Sequence, residues 1–207
     1  METRRTDTLR ASPRMFASDL LDRLSRVHHT VPPLIFGPAI AILFAFGQEN
    51  TPLAAAVAWI AGGFAFWTLF EYWMHRIVFH FEPEKGIGAR LHWIIHGVHH
   101  DHPNDPMRLV MPPSVSVPLS AALLGTFWVA LGTPGAYLFG AGFLAGYLVY
   151  DITHYHLHHR KPRTRAGRLL YELHMRHHFE DETRGFGVSA PWWDYVFGTP
   201  PRRRPQG

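Results

Sequence analysis

Uncharged, largely apolar residues run together in this chain in blocks of membrane length, and polar residues fill the intervals. No charged side chain falls within 31–47, within 53–70 or within 109–150. Gly132-Thr-Pro-Gly135 divides the last block, since Gly and Pro punctuate regular elements, and Gln48-Glu-Asn-Thr-Pro52 separates the first two as a tight polar turn. The pattern predicts four apolar helices, at 31–47, 53–74, 114–131 and 136–153, paired in two hairpins. A bilayer core takes about 20 helical residues. The second block reaches that length if its helix continues toward His75. The first is short and interrupted by Pro38, which leaves crossing and re-entry both open. The expected fold is an all-α integral membrane protein with about four transmembrane helices. The polar segments 75–112 and 154–199 would form a helical cap, 1–30 a basic N-terminal segment, and 31–207 one membrane domain.

Charge sharpens this picture. Of the twenty Lys and Arg residues, six lie in 1–32, four in 75–112 and ten in 151–207, and the two short turns hold none. Segregation of this kind orients a membrane protein with its cationic segments inside. Both termini and every histidine-rich segment are therefore expected on the cytoplasmic face, of a bacterial inner membrane or of the endoplasmic reticulum in a eukaryote. A soluble protein with buried hairpins would have no reason to sort its cations so completely. The basic balance is compatible with nucleic acid or an anionic membrane surface, and the apolar blocks favour the membrane. Residues 1–26 are polar and carry six arginines, unlike a cleavable signal peptide. Asp19-Leu-Leu-Asp-Arg-Leu24 reads as an amphipathic turn on a bilayer surface or as part of a disordered tail. The run Arg202 to Arg204 reads as a solvated tail near anionic headgroups.

The candidate chemistry is imidazole. Sixteen histidines and no cysteine exclude thiolate sites and disulfides, and leave nitrogen, carboxylate and backbone oxygen as metal ligands. Four clusters stand out: His75-Arg-Ile-Val-Phe-His80, His96-Gly-Val-His99-His100, His154-Tyr-His156-Leu-His158-His159 and His174-Met-Arg-His177-His178. Residues at i, i+3 and i+4 share a helical face, so His96, His99 and His100 are expected to converge, as are His174, His177 and His178. His154 and His158 share a face. His75 and His80, five apart, converge only if their helix ends, bends or bulges between them. Ten histidines, His75, His80, His96, His99, His100, His154, His158, His174, His177 and His178, exceed one ion's needs and suit two. His28, His29, His102, His156 and His159 are expected to be satisfied by backbone or headgroups. His92, one turn before His96, is a supplementary ligand or a residue just behind the ligands. Ligating imidazoles usually give their other N–H to a carboxylate or carbonyl, and Glu71 and Asp151 are spaced to receive one from His75 and His154. Asp194 is a further candidate for that role or for a helix cap. Trp192, Trp193 and Tyr195 are expected to pack or to lie at the interface.

These spacings resemble the membrane fatty acid hydroxylase / sterol desaturase superfamily. Glu71-Tyr-Trp-Met-His-Arg-Ile-Val-Phe-His-Phe81, Arg108-Leu-Val-Met-Pro-Pro113 and the Gly185-Phe-Gly-Val and Trp193-Asp-Tyr-Val-Phe-Gly-Thr199 segments resemble its fatty acid 2-hydroxylase branch. The resemblance implies a monooxygenase with two irons on the ten histidines, hydroxylating C2 of a fatty acyl chain, free or amide-linked in a ceramide-like lipid. It implies O₂ and an external electron donor as co-reactants, while imidazole sites also accept zinc readily, so zinc can take the irons' place after purification. Eukaryotic members of the branch carry a cytochrome b5-like domain that 1–30 is too short to house. A separate carrier of cytochrome b5 or ferredoxin type is therefore expected, beside a lipid substrate from the bilayer and no nucleic acid. Competing readings are carotenoid or sterol-type oxidation in the same superfamily, a membrane zinc hydrolase, and a non-enzymatic metal-binding or transport protein. The hydrolase reading lacks H-E-x-x-H. The transport reading expects ionisable residues within the spans, whereas the histidines follow the span ends.

Overall fold

The computed structural model describes residues 5–202, so Arg203 and Arg204 of the expected tail lie outside the described residues. Regular structure among the described residues is entirely helical. The chain divides into two compact units, one of 14–68 and 107–152, the other of 69–106 with the described parts of 1–13 and 153–207.

The helices are shared between the two units, the long apolar ones forming most of the first. α1 (Arg5–Arg10) and α2 (Asp19–Leu24) precede α3 (Val31–Gln48), α4 (Leu53–Trp73), α5 (Gly86–His92), α6 (Val98–Asp101), α7 (Pro113–Leu131), α8 (Gly135–His159), α9 (Arg165–Phe179) and α10 (Trp192–Val196). Four helical stretches are long and apolar enough to cross a membrane: Val31–Gln48, Leu53–Phe79, Pro113–Leu131 and Gly135–His159. Many of their outward side chains are apolar and exposed, among them Ile42, Phe46, Val57, Trp128 and Val129. A water-soluble helix would place charge there, and a lipid-facing one does not.

Inside this unit, helix contact depends on small residues, as expected where lipid removes the hydrophobic drive between helices. A methyl group on Gly63 would strike the Phe139 carbonyl, and one on Gly142 the Ile60 carbonyl. The two helices therefore touch backbone to backbone. Around that contact Trp67 meets the rings of Phe143, Tyr147 and Tyr150 with centroids 5.1, 5.3 and 5.8 Å away.

The N-terminal segment settles between the two alternatives its sequence allows. Asp19–Leu24 forms a short helix with Leu20, Leu21 and Leu24 exposed, which fits the amphipathic turn rather than the disordered tail. Ser18 caps α2, and the Asp22 carboxylate accepts from the Met15 N–H at 2.7 Å, from Arg108 at 2.8 Å and from Arg26 at 3.2 Å. These donors, the Met15 amide foremost, hold its carboxyl well below the usual range. Val27 N–H closes the contact on the Met107 carbonyl at 2.6 Å.

The second unit holds the histidine-rich segments. Two short π-helical turns interrupt its helices, Met74–Phe79 after α4 and Trp93–Gly97 between α5 and α6. The helix expected over 136–153 continues without a break to His159 and carries His154 and His158 on its last turns. Thr164 caps α9 by accepting from the Gly167 N–H at 3.0 Å, and α9 buries His174 and His177.

Candidate metal centre

The first π turn resolves the spacing of His75 and His80. On an α-helix, five residues span about 140° beyond a full turn, at about 100° each. Here the His80 N–H donates to the His75 carbonyl at 3.1 Å, an i to i+5 bond that widens the turn by one residue. His75 and His80 thereby face the same way, and their Nε2 atoms lie 3.3 Å apart.

The ten histidines form two groups of five: His75, His80, His96, His100 and His177; and His99, His154, His158, His174 and His178. Within each group the candidate ligand nitrogens all lie within 4.8 Å of one another. Each H-x-x-H-H triplet, expected to converge as a unit, is instead divided. His96 and His100 enter the first group and His99 the second, while His174 and His178 enter the second and His177 the first. The reason is geometric. Residues i and i+4 differ by about 40° around the helix, whereas i+3 lies about 100° from i+4. A triplet therefore presents two rings to one side of its face and one to the other. The groups adjoin, since the rings of His100 and His178 stack with centroids 4.3 Å apart.

Tautomers follow from the outward nitrogens. His75 Nδ1 lies 2.6 Å from the Phe186 carbonyl and His177 Nδ1 2.8 Å from the Arg184 carbonyl. A carbonyl only accepts, so both Nδ1 atoms carry the proton and both Nε2 atoms are bare lone pairs. Those Nε2 atoms point inward: His75 to His96 at 3.1 Å, His80 to His177 at 3.1 Å, and His100 to His96 at 3.1 Å. The second group does likewise, with His154 to His99 at 3.0 Å and His158 to His174 at 2.8 Å. Burial holds His96, His99, His174 and His178 well below the usual imidazole range, with neighbouring imidazoles adding to it. Burial likewise lowers His80 to about 3, His100 to about 2 and His177 to about 4. Neutral rings with their ring nitrogens crowded together offer cations a ready set of nitrogen ligands. The donor set therefore fits two metal ions, and all-imidazole ligation suits iron, zinc, copper or nickel.

A loop positions two of these rings. Gly185 has φ +81, which favours glycine, and there the chain turns so that the Arg184 and Phe186 carbonyls both reach histidines. Asp194 holds the loop by accepting from the Phe186 N–H at 2.9 Å, the Gly187 N–H at 2.8 Å and the Thr199 hydroxyl at 2.8 Å. It lies within α10, whose N-cap is Pro191, so its work is done on the loop. Glu71 accepts from the Ser189 N–H at 2.7 Å and from the Ser189 hydroxyl. The direct Glu71 partnership expected for His75 is thus replaced by a relay, in which carboxylate holds loop and loop carbonyl holds ring. Asp151 is buried, with one carboxylate oxygen that has no hydrogen-bond partner.

The remaining histidines stand outside both groups. His92 Nε2 lies 3.8 Å from the Glu82 carboxylate. His102 donates to the Thr8 carbonyl at 2.6 Å, His28 meets the Thr30 hydroxyl at 2.8 Å, and His159 packs on Tyr155 with centroids 4.4 Å apart. Trp193 stacks on Phe197, and Trp192 and Tyr195 are exposed. The sequence gives no sign of the Arg184 and Phe186 carbonyls, because backbone oxygens have no residue type. The positive-φ glycine between them is the one readable trace.

Comparison with known proteins places this arrangement. The family model for fatty acid hydroxylase matches residues 60–199. The chain is similar to the dihydroceramide fatty acyl 2-hydroxylase of Arabidopsis thaliana, 38% identical over 195 residues, covering 91% of this chain and 80% of that protein. It is 35% identical over 215 residues to the fatty acid 2-hydroxylase of Mus musculus, covering 90% of this chain and 56% of that one. Among solved structures, full-length scs7p, of which the hydroxylase domain is visible, matches with a TM-score of 0.84 and 35% identity. That match covers 91% of this chain and 72% of the other.

Proposed function

The chain belongs to the fatty acid hydroxylase family, and from that premise we propose that it hydroxylates C2 of a fatty acyl chain, free or amide-linked in a ceramide-like lipid. It is a membrane oxidoreductase, and the observation that carries the reading is the pair of interlocked five-histidine groups. We assign His75, His80, His96, His100 and His177 to one iron ion, and His99, His154, His158, His174 and His178 to the other. When bound, two irons supply the redox chemistry that splits O₂, with one oxygen entering a C–H bond and the other leaving as water. The balance takes two electrons and two protons, so an external one-electron carrier of cytochrome b5 or ferredoxin type completes the reaction.

The chain's own residues do the rest. Burial disfavours the charged form of the ligand rings, and His75 and His177 hold bare Nε2 lone pairs inward, so ions compete with few protons at the site. The Arg184 and Phe186 carbonyls fix two tautomers, and Glu71 and Asp194 keep that loop rigid. Burial of the rings keeps bulk water from the reacting carbon and limits unproductive reduction of oxygen. The segregation of cations supports a cytoplasmic position for the histidine-rich unit and both termini. The chemistry of the dihydroceramide and fatty acid 2-hydroxylase relatives supports the C2 position.

The test is made in a host lacking 2-hydroxylated lipids. Expression of the chain is expected to produce 2-hydroxy acyl chains by mass spectrometry of hydrolysed lipids, and His177→Ala to abolish them. Unchanged 2-hydroxy content together with an altered carotenoid or sterol profile would replace this reading with another oxidation of the superfamily.

A further inference from the structure

The two groups differ behind their rings. In the first, two of the five ligands have a carbonyl acceptor at the outward nitrogen, and two more have an outward nitrogen that faces a carboxylate. His75 and His177 have carbonyls, at 2.6 and 2.8 Å. His80 Nδ1 faces the Glu82 carboxylate at 3.5 Å, and His100 Nδ1 faces the Glu182 carboxylate at 3.6 Å. These last two are neutral imidazoles facing carboxylates at or just beyond hydrogen-bond range, and a small side-chain adjustment closes them. His100 Nδ1 makes no hydrogen bond as it stands but has Glu182 in front of it, whereas the outward nitrogens of His174 and His178 in the second group are buried with neither a hydrogen-bond partner nor a facing carboxylate.

A metal on Nε2 forces the remaining proton onto Nδ1. Each ring then becomes an outward donor, and a carboxylate that receives it fixes the ring's orientation and makes it a stronger ligand. We propose that Glu82 and Glu182 are positioning residues for His80 and His100, and that they make the first group the tighter and more electron-rich of two unequal metal sites. This rests on the reading of the ten histidines as two metal sites. Both acids are about half exposed, at 46% and 53%, so they stand between the buried rings and water. His92 shares the Glu82 carboxylate. That gives it a place behind the ligands, holding Glu82, rather than among them.

The experiment uses the full chain in detergent micelles, loaded anaerobically with ferrous iron and challenged with graded chelator. Iron retained per chain and the Mössbauer spectrum are the readouts, so activity is not needed. The wild-type protein is expected to hold two ions, release them in two steps and show two unequal iron environments. His178→Ala is expected to remove the weaker step. Glu82→Gln with Glu182→Gln is expected to weaken the tighter step by about 10- to 100-fold, bring the two spectra together and leave the weaker step in place. Glu82→Asp on the Glu182 background is expected to restore part of the separation, and Glu84→Gln, an exposed acid nearby, to change nothing. Two-step release unchanged in the double Gln variant overturns the proposal while leaving the two-metal reading intact. A wild-type protein that holds one ion overturns the two-metal reading instead.

Discussion

At the scale of single residues, the site works through groups that never touch an ion. Asp194 accepts two backbone N–H groups and the Thr199 hydroxyl, all buried. Asp194→Asn keeps the shape but turns one acceptor into a donor facing donors. Leaving a buried N–H unpaired costs about 1–3 kcal/mol. The variant is therefore expected to lose that much stability in a denaturant titration, and to release metal from the His75 and His177 group more readily than the wild type. Gly185→Ala is expected to do the same more severely. Its backbone lies at φ +81, and a methyl there would come within 2.9 Å of Pro201. The imidazoles give a pH dependence whose sign can be stated. His80 and His177 sit at about 3 and about 4 in the fold, against 6.5 when free. Below 6.5 the unfolded chain takes up protons that the folded chain refuses. Stability is thus full above pH 6.5 and declines as pH falls toward 4, at about 1.4 kcal/mol per pH unit for each such group. Thermal unfolding of metal-free protein between pH 7 and 5 is expected to show this slope. Metal-loaded protein is expected to unfold at a higher temperature across this range until the ions leave.

At the scale of elements, regular helix arithmetic carried the reading far and then failed at two points. The H-x-x-x-H pair His154 and His158 lies on an unbroken α-helix, and its shared face was legible from spacing alone. His75 and His80 were not, because a π turn is a local choice of hydrogen bond that no residue type announces. The division of each triplet between two groups was equally hidden. Spacing places His96, His99 and His100 on one broad face, and only packing against α8 and α9 shows that the face has two sides. Glu71 meets Ser189 rather than the histidine its spacing points to. Its neighbour in sequence is His75, but its neighbour in space is Ser189, and that distance is invisible to local reasoning. The π turn makes a sharp prediction. Deleting Val78 removes the extra residue, so the histidines become an i, i+4 pair on an α-helix, as in α8. Such a variant is expected to retain about two metal ions per chain by elemental analysis, whereas inserting an alanine at the same place is expected to lose the first group's ion. In the apolar unit, Gly142→Leu would drive a side chain into the Ile60 backbone. It is expected to cost about 1–3 kcal/mol or more by overpacking, read as a lower unfolding temperature in detergent.

At the scale of the whole molecule, the apolar blocks and segregated charges anticipated an all-helical membrane protein, and the long helices bear that out. The N-terminal segment was less legible. Its ordering depends on Asp22 meeting Arg108, two residues whose sequence separation hides the contact. Sidedness is open to a direct test, because the chain contains no cysteine. Single substitutions Glu49→Cys and Lys161→Cys, both at exposed positions, are expected to react with a membrane-impermeant thiol reagent from opposite faces, with Lys161→Cys labelled from the cytoplasm. Labelling of both from one face would contradict the orientation drawn from the charge distribution.

The exchange of one histidine between the two groups also bears on how the enzyme is made. His177 completes a group otherwise drawn from residues before 101, while His99 belongs to a group otherwise drawn from residues after 153. The first set of five is complete only at His177 and the second only at His178, and the carbonyls and carboxylate that steady the first set come later still. A nascent chain therefore exposes partial, weaker clusters throughout translation, and both centres mature together at its end.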